Sequence, residues 1–195
     1  MEDRLIVTAS PHIRDASTTR GLMGNVVIAL LPAVLAAGLI FGVQALVLVA
    51  VTTLACVAFE YIYEKLLKKS NTVGDLSAVV TGIILALNMP VGMPLWIAVV
   101  GAFVAIVITK QLFGGLGYNF ANPALVGGFT SRMTAYVYPD MAVDALASAT
   151  PLAVADKTTL PLLDVFLGFH GGMMGEVCVL AILLVMGGAM ILRMG

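Results

Sequence analysis

The chain reads as an all-α polytopic membrane protein with about six transmembrane helices, two of them short. Three observations predict this. Of its 195 residues, 61% are hydrophobic and only 11% are charged, against about 45–50% and about 25% in soluble domains. The mean hydropathy is +1.06. The apolar residues gather into runs separated by short polar or glycine-rich connections, and a spanning helix needs about 20 such residues. The net charge of -1 points to no nucleic-acid or polyanionic partner.

Each element follows from this pattern. Residues 1–20 are polar and lack the order of a secretory signal, so the expectation is a retained N-terminus. Runs 25–42 and 43–63 are joined by almost nothing and predict a tight antiparallel hairpin. Pro32 and Gly38 inside the first run are tolerable where neighbouring helices satisfy freed backbone groups. Glu64, Lys65, Lys68, Lys69, Ser70 and Asn71 form a polar loop. Run 75–89 is short, begins at Asp75 as N-cap or first-turn acid and stops at Pro90. Run 94–109 follows and ends at Lys110, before the loop with Gly114, Gly115 and Gly117. Run 123–137 is a second short helix, with Asn122 as cap and Pro123 in its first turn. Residues 138–175 are the long non-spanning stretch, and run 177–192 is the last helix.

Charge sets the expected orientation. If all six runs cross, Arg4, Arg14, Arg20, Lys65, Lys68, Lys69, Lys110 and Arg193 fall on one side and Lys157 on the other. The positive-inside rule then puts the N-terminus in the cytoplasm and the 138–175 loop outside. Paired short, interrupted helices, 75–89 and 122–137, point to a site at the bilayer midplane. Two ordinary tilted helices would give the same pattern. Glu60 and Glu176 lie near helix ends and read as interfacial, so they define no cation path. Cys56 and Cys178, inside apolar runs, read as small buried hydrophobes. His12 and His170 lack ligand-spaced partners, which argues against haem or a metal centre.

One segment breaks the hydrocarbon pattern: Asp144-Ala145-Leu146-Ala147-Ser148-Ala149-Thr150-Pro151-Leu152. It resembles the flavinylation motif of the Rnf and sodium-pumping NADH:quinone oxidoreductase membrane flavoproteins. Two further segments resemble the same family, Ser10-Pro11-His12-Ile13-Arg14 and Gly114-Gly115-Leu116-Gly117-Tyr118-Asn119-Phe120-Ala121-Asn122-Pro123-Ala124. The fit is closer to the Rnf D subunit than to its relative in the quinone reductase. Ala121 stands where the family commonly has Phe, and Ala147 where it has Ser or Thr. The chain ends at Gly195 where relatives continue with more helices, so it is expected to be the N-terminal portion of a larger polypeptide, itself part of an inverted-repeat bundle.

The resemblance implies FMN on Thr150 through a phosphoester, installed by a separate flavin transferase. Small neighbours, Ala147, Ser148 and Ala149, would admit that enzyme, and Asp144 could help hold its magnesium. A Thr-Pro pair otherwise often marks a helix start. The resemblance also implies that Asn119 and Asn122 border a non-covalent riboflavin; on residue type alone they cap a helix and line a turn. Arg132, within a run, would anchor FMN phosphate, pair with Asp140 or snorkel to the outer interface.

The implied function is a membrane flavoprotein subunit of an ion-translocating ferredoxin:NAD+ oxidoreductase in a bacterial or archaeal cytoplasmic membrane. It would relay electrons beside other Rnf subunits while Na+ or H+ moves. A channel or facilitator without redox cofactor is the alternative, because paired short helices also build pores. A purely structural membrane partner is the third reading, with neither flavin nor pore.

Overall fold

The computed structural model describes residues 18–69, 72–137, 162–167, 173–176 and 178–194. Every regular element among them is helical: α1 Thr19–Phe41, α2 Val43–Leu66, α3 Ser77–Leu87, α4 Leu95–Phe103, α5 Pro123–Val137, α6 Leu162–Leu167 and α7 Val179–Met194. A 3-10 turn, Val73–Asp75, precedes α3, and α4 continues as a π-helical segment, Val104–Gln111. The six expected helices are all present. The short α6 is an addition, inside the stretch read as non-spanning.

Among the described residues, two helices are long and apolar enough to cross a bilayer. α1 and α2 have 23 and 24 residues, about 35 Å each at about 1.5 Å per residue. The Thr18 hydroxyl starts α1 by accepting from the Gly21 N–H at 3.1 Å. Pro32 sits inside an unbroken α1, as expected. The hairpin between α1 and α2 is a single residue, Gly42, at φ 78°. Only glycine adopts that conformation without steric cost, which is why one residue reverses the chain here.

Outward faces are apolar. Leu35, Leu39, Leu54 and Ile62 are all exposed, a surface that water would penalise and lipid accepts. The inward face of α1 is a stripe of Ala29, Ala33 and Ala37. Such small residues let helices approach where lipid supplies no hydrophobic drive to associate.

The closest approaches occur at glycine. α2 and α3 meet where a Cβ on Gly82 would lie 2.6 Å from the Thr53 Cα. α4 and α5 meet where a Cβ on Gly127 would lie 2.6 Å from the Gly101 carbonyl oxygen. Ser131 donates across the same contact to the Ile97 carbonyl at 3.3 Å. The short helices α3 and α5 also pack together, with Leu85 against Gly127 and Gly128. Their contact is close-packed and apolar.

The two ends of α3 mark the two ends of the bundle. Ser77 meets Lys110 at its start. At its finish the Leu87 carbonyl accepts from the Gly175 N–H at 2.8 Å. Gly175 therefore sits at the end of α3 opposite Lys110.

Replacing Gly127 with Ala forces a methyl group against rigid backbone, and overpacking of this kind costs about 1–3 kcal/mol. A Cβ on Gly187 in α7 meets nothing within 4 Å, so Gly187→Ala is neutral or slightly stabilising. Unfolding followed by helical circular dichroism in detergent micelles distinguishes the two. Equal stability of both variants would show that the α4–α5 contact is looser than described.

Candidate functional site

Polar side chains are rare inside the bundle, and most of them meet in one place. α2 carries Thr52, Cys56, Glu60 and Glu64 at successive four-residue steps, all buried. Residues four apart share a helix face, so these form a polar stripe on an otherwise apolar helix. Thr52 folds back onto the Leu48 carbonyl at 2.7 Å.

Glu60 is the centre. It is 0% exposed and forms an ion pair with Lys110, itself 2% exposed, at 2.5 Å. The sequence reading of Glu60 as interfacial and of Lys110 as the cation that ends the fourth run is therefore corrected: each charge is drawn inside by the other. The cause is the π-helical segment. Leu112 N–H donates to the Val107 carbonyl at 3.0 Å, and the Thr109 hydroxyl donates to the Val104 carbonyl, five residues back. The wider turn leaves three consecutive residues, Thr109, Lys110 and Gln111, buried together, which a regular one-faced helix does not do.

Lys110 has two partners. Its Nζ donates to Glu60 Oε1 and, at 2.6 Å, to Ser77 Oγ. Ser77 in turn donates its hydroxyl, and at 2.7 Å its N–H, to Asp75 Oδ1. The sequence reading of Asp75 as N-cap or first-turn acid of this helix is corrected: Leu76 is the N-cap, and Asp75 closes the 3-10 turn before it, taking the Ser77 N–H on its side chain. Leu76 between them takes a left-handed conformation, φ 65°, which costs an L-residue about 1–2 kcal/mol. Gln111 Nε2 adds a second donor to Glu60 Oε1 at 2.8 Å. The exposed Thr72 donates its hydroxyl to Glu64 Oε1 and its N–H to Glu64 Oε2 at 3.0 Å. The same hydroxyl lies 3.5 Å from Glu60 Oε1. Lys69 donates to the Gln111 carbonyl at 3.4 Å.

The glycine-rich loop hangs directly from this network. Gly115 N–H donates to the Lys110 carbonyl at 3.0 Å and Gly114 N–H to that of Gln111 at 3.3 Å. Gly114 and Gly115 both have positive φ, 120° and 97°, so the loop geometry depends on them. Asn119 Nδ2 donates to the Ala121 carbonyl at 2.7 Å, and Asn122 Oδ1 accepts from the Ala124 N–H at 3.0 Å. Asn122 is thus the expected cap of α5. Around these amides stand exposed aromatics, Tyr118, Phe113 and Phe120, the last two edge to face at 4.9 Å.

The structure brings Asn119 and Asn122 into one loop beside the charge network. Thr150, Asp144, Ser148 and Ala149 lie outside the described residues. Arg132 belongs to α5, with its side chain outside them. Glu176, read as interfacial, is exposed and accepts from the Met173 N–H at 3.1 Å. Cys56 is buried as expected, and Cys178 only partly. Among the described residues no group of three or more His, Cys, Asp or Glu could hold a metal ion. Sequence reasoning missed the Glu60–Lys110 network. The four-residue spacing of Thr52, Cys56, Glu60 and Glu64 was the signal that could have found it.

An apolar-faced helical bundle with a dry charge pair defines a polytopic membrane protein. The chain belongs to the NQR2, RnfD, RnfE family, whose model matches residues 6–195. It is 47% identical over 195 residues to the D subunit of the Na(+)-translocating ferredoxin:NAD(+) oxidoreductase complex of Acetobacterium woodii, covering 94% of this chain and 61% of that one. It is 34% identical over 201 residues to the proton-translocating counterpart of Clostridium ljungdahlii, covering 93% and 60%. It is 35% identical over 158 residues to the D subunit of the ion-translocating oxidoreductase complex of Shewanella denitrificans, covering 73% and 44%. The chain thus spans about three fifths of the length of the first two relatives.

Lys110→Met leaves the Glu60 carboxylate buried and unpaired, a change that costs about 3–5 kcal/mol. Adding Glu60→Gln to that variant recovers most of the loss, because both charges are then gone. A double-mutant cycle by denaturant unfolding in micelles reads this coupling. Additive losses would mean that the two groups do not interact.

Proposed function

We propose that the chain is part of the Rnf D subunit of an ion-translocating ferredoxin:NAD+ oxidoreductase, the assembly named for its relatives. In this reading it relays electrons through FMN held on Thr150 by a phosphoester, beside the other membrane and peripheral subunits. The observation that carries the reading is the family match over residues 6–195, which embraces the Asp144–Leu152 segment. FMN would supply reversible electron transfer, the protein its placement and tuning. Thr150 contributes the hydroxyl that a flavin transferase esterifies, with Asp144, Ser148 and Ala149 around it and Arg132 as a cation for the phosphate.

Asn119 and Asn122 would hold a second, non-covalent flavin of the riboflavin type. The described residues fit such a ligand in two respects. Each amide keeps one polar atom beyond its local bond, and exposed Phe113, Tyr118 and Phe120 offer stacking faces. The translocated ion, Na+ or H+, differs between the names of the Acetobacterium woodii and Clostridium ljungdahlii relatives.

Thr150→Ala abolishes in-gel flavin fluorescence under denaturing conditions, while Thr150→Ser retains some. The intact mass of the unaltered protein exceeds the chain mass by FMN less water. In the same preparation, Asn119→Ala with Asn122→Ala lowers the flavin released on denaturation and leaves the covalent signal unchanged. Fluorescence persisting in Thr150→Ala would overturn the covalent assignment, and undiminished release would reduce the asparagines to helix caps.

The orientation is tested separately. The proposal places the N-terminus and Lys68 in the cytoplasm and residues 138–175 outside, in a bacterial or archaeal cytoplasmic membrane. With Cys56 and Cys178 replaced by Ala, a cysteine at Ala155 reacts with an impermeant maleimide applied to whole cells, and one at Lys68 does not. Labelling of both would refute the six-crossing arrangement.

A further inference from the structure

A cavity of about 280 Å³ lies between α1, α3 and α7, away from the charge network. Its walls are Leu30 and Ala33 of α1, Ile84 and Leu87 of α3, and Ile182 and Val185 of α7. The turn at 173–176 closes one end. Its Gly175 N–H donates to the Leu87 carbonyl at 2.8 Å. A Cβ on Gly175 would lie 2.9 Å from the Leu87 Cβ, so close packing fixes this rim against α3.

The polar side chains of the lining are neighbours of that contact. Asn88 follows Leu87 and is turned back on its own helix, its Nδ2 donating to the Ile84 carbonyl at 2.8 Å. Glu176 follows Gly175 and is the only charged residue of the lining. It is exposed, and its Oε1 accepts from the Met173 N–H at 3.1 Å. The remaining side chains are aliphatic or thioether. The cavity thus has an apolar body and one anionic end. It adjoins the lipid-facing surface: Met186 of its lining is 60% exposed, and Leu31, Leu183 and Leu184, next in sequence to lining residues, are exposed as well.

We propose that this cavity takes one acyl chain of a membrane phospholipid, whose ammonium headgroup pairs with Glu176. Water leaves an apolar cavity dry, and the medium against this surface is hydrocarbon. At about 30 Å³ for a water-sized group, 280 Å³ holds about nine of them. A methylene is of that size, so a stretch of one chain fits and a pair of chains does not. Filling the space restores the dispersion contacts of three helices at once. The carboxylate at the rim favours a zwitterionic headgroup that ends in an ammonium over an anionic one. This site uses neither Thr150 nor the asparagines, so it stands or falls apart from the flavin reading.

The test uses phosphatidylethanolamine with a photoreactive diazirine on one acyl chain, in vesicles with the purified complex, and maps the labelled residues by mass spectrometry. The expected label falls on residues 30–33, 84–87 and 182–186, in excess over the exposed Leu35, Leu39 and Leu54. Unlabelled phosphatidylethanolamine competes better than phosphatidylglycerol by about two- to fivefold, the strength of one exposed ion pair. Glu176→Gln removes that preference and keeps the label. Val185→Phe fills the space and removes the label. If that variant does not fold, Ala33→Leu fills it from α1 instead. Label spread evenly over the apolar surface means bulk lipid only and overturns the proposal. So does an unlabelled cavity, the result expected if a protein segment covers it, and so does a label unchanged in the folded cavity-filling variant. Equal competition by the two lipids overturns the pairing with Glu176.

Discussion

Hydrocarbon offers a charge no partner, so every buried charge in this bundle must find one in the protein. The Glu60–Lys110 pair meets that demand and in doing so fixes three elements at once. Glu60 belongs to α2 and Lys110 to the π-helical end of α4, and Ser77 at the start of α3 holds the same ammonium. None of the three can slide or rotate by one residue without stranding a charge. The pair is weak as a source of stability, since two apolar side chains would pack there at lower desolvation cost. Its contribution is register: apolar helices in lipid have many near-equivalent ways to pack, and one ion pair selects among them.

Close packing makes that pair dry. The approaches at Gly82 and at Gly127 bring backbone to within contact of backbone, α2 against α3 and α4 against α5. Lipid gives helices no solvent reason to associate, so the association rests on these small-residue contacts and on the polar bonds they enclose. The two devices depend on each other. Without the glycines the carboxylate would be hydrated and its partner redundant. Without the pair, the tight faces would have no single register.

Helix positions were largely legible because hydropathy runs and breakers carry them. The one-residue hairpin at Gly42 and the cap at Asn122 with Pro123 both appear where residue type demands them, while α3 starts two residues after Asp75. Lys110 misled because a lysine at the end of an apolar run usually marks the water boundary. Its inward turn depends on one extra residue in a helical turn, and nothing in composition announces a π-helical segment. Glu60 was misread for a related reason. Judged by its distance from the helix end it is interfacial; judged by its four-residue spacing from Cys56 and Glu64 it belongs to a buried stripe. The reading of Thr150 rests on its motif alone, and the position lies outside the described residues.

The charge network and the glycine-rich loop form one mechanical unit. Gly114 and Gly115 hang by their N–H groups from the carbonyls of Gln111 and Lys110, the residues that donate to Glu60. Both glycines sit at φ values closed to other residues, so the loop has little freedom to absorb a displacement of its anchor. The same two residues thus hold the buried carboxylate by their side chains and the loop that carries Asn119, Asn122 and the exposed aromatics by their carbonyls.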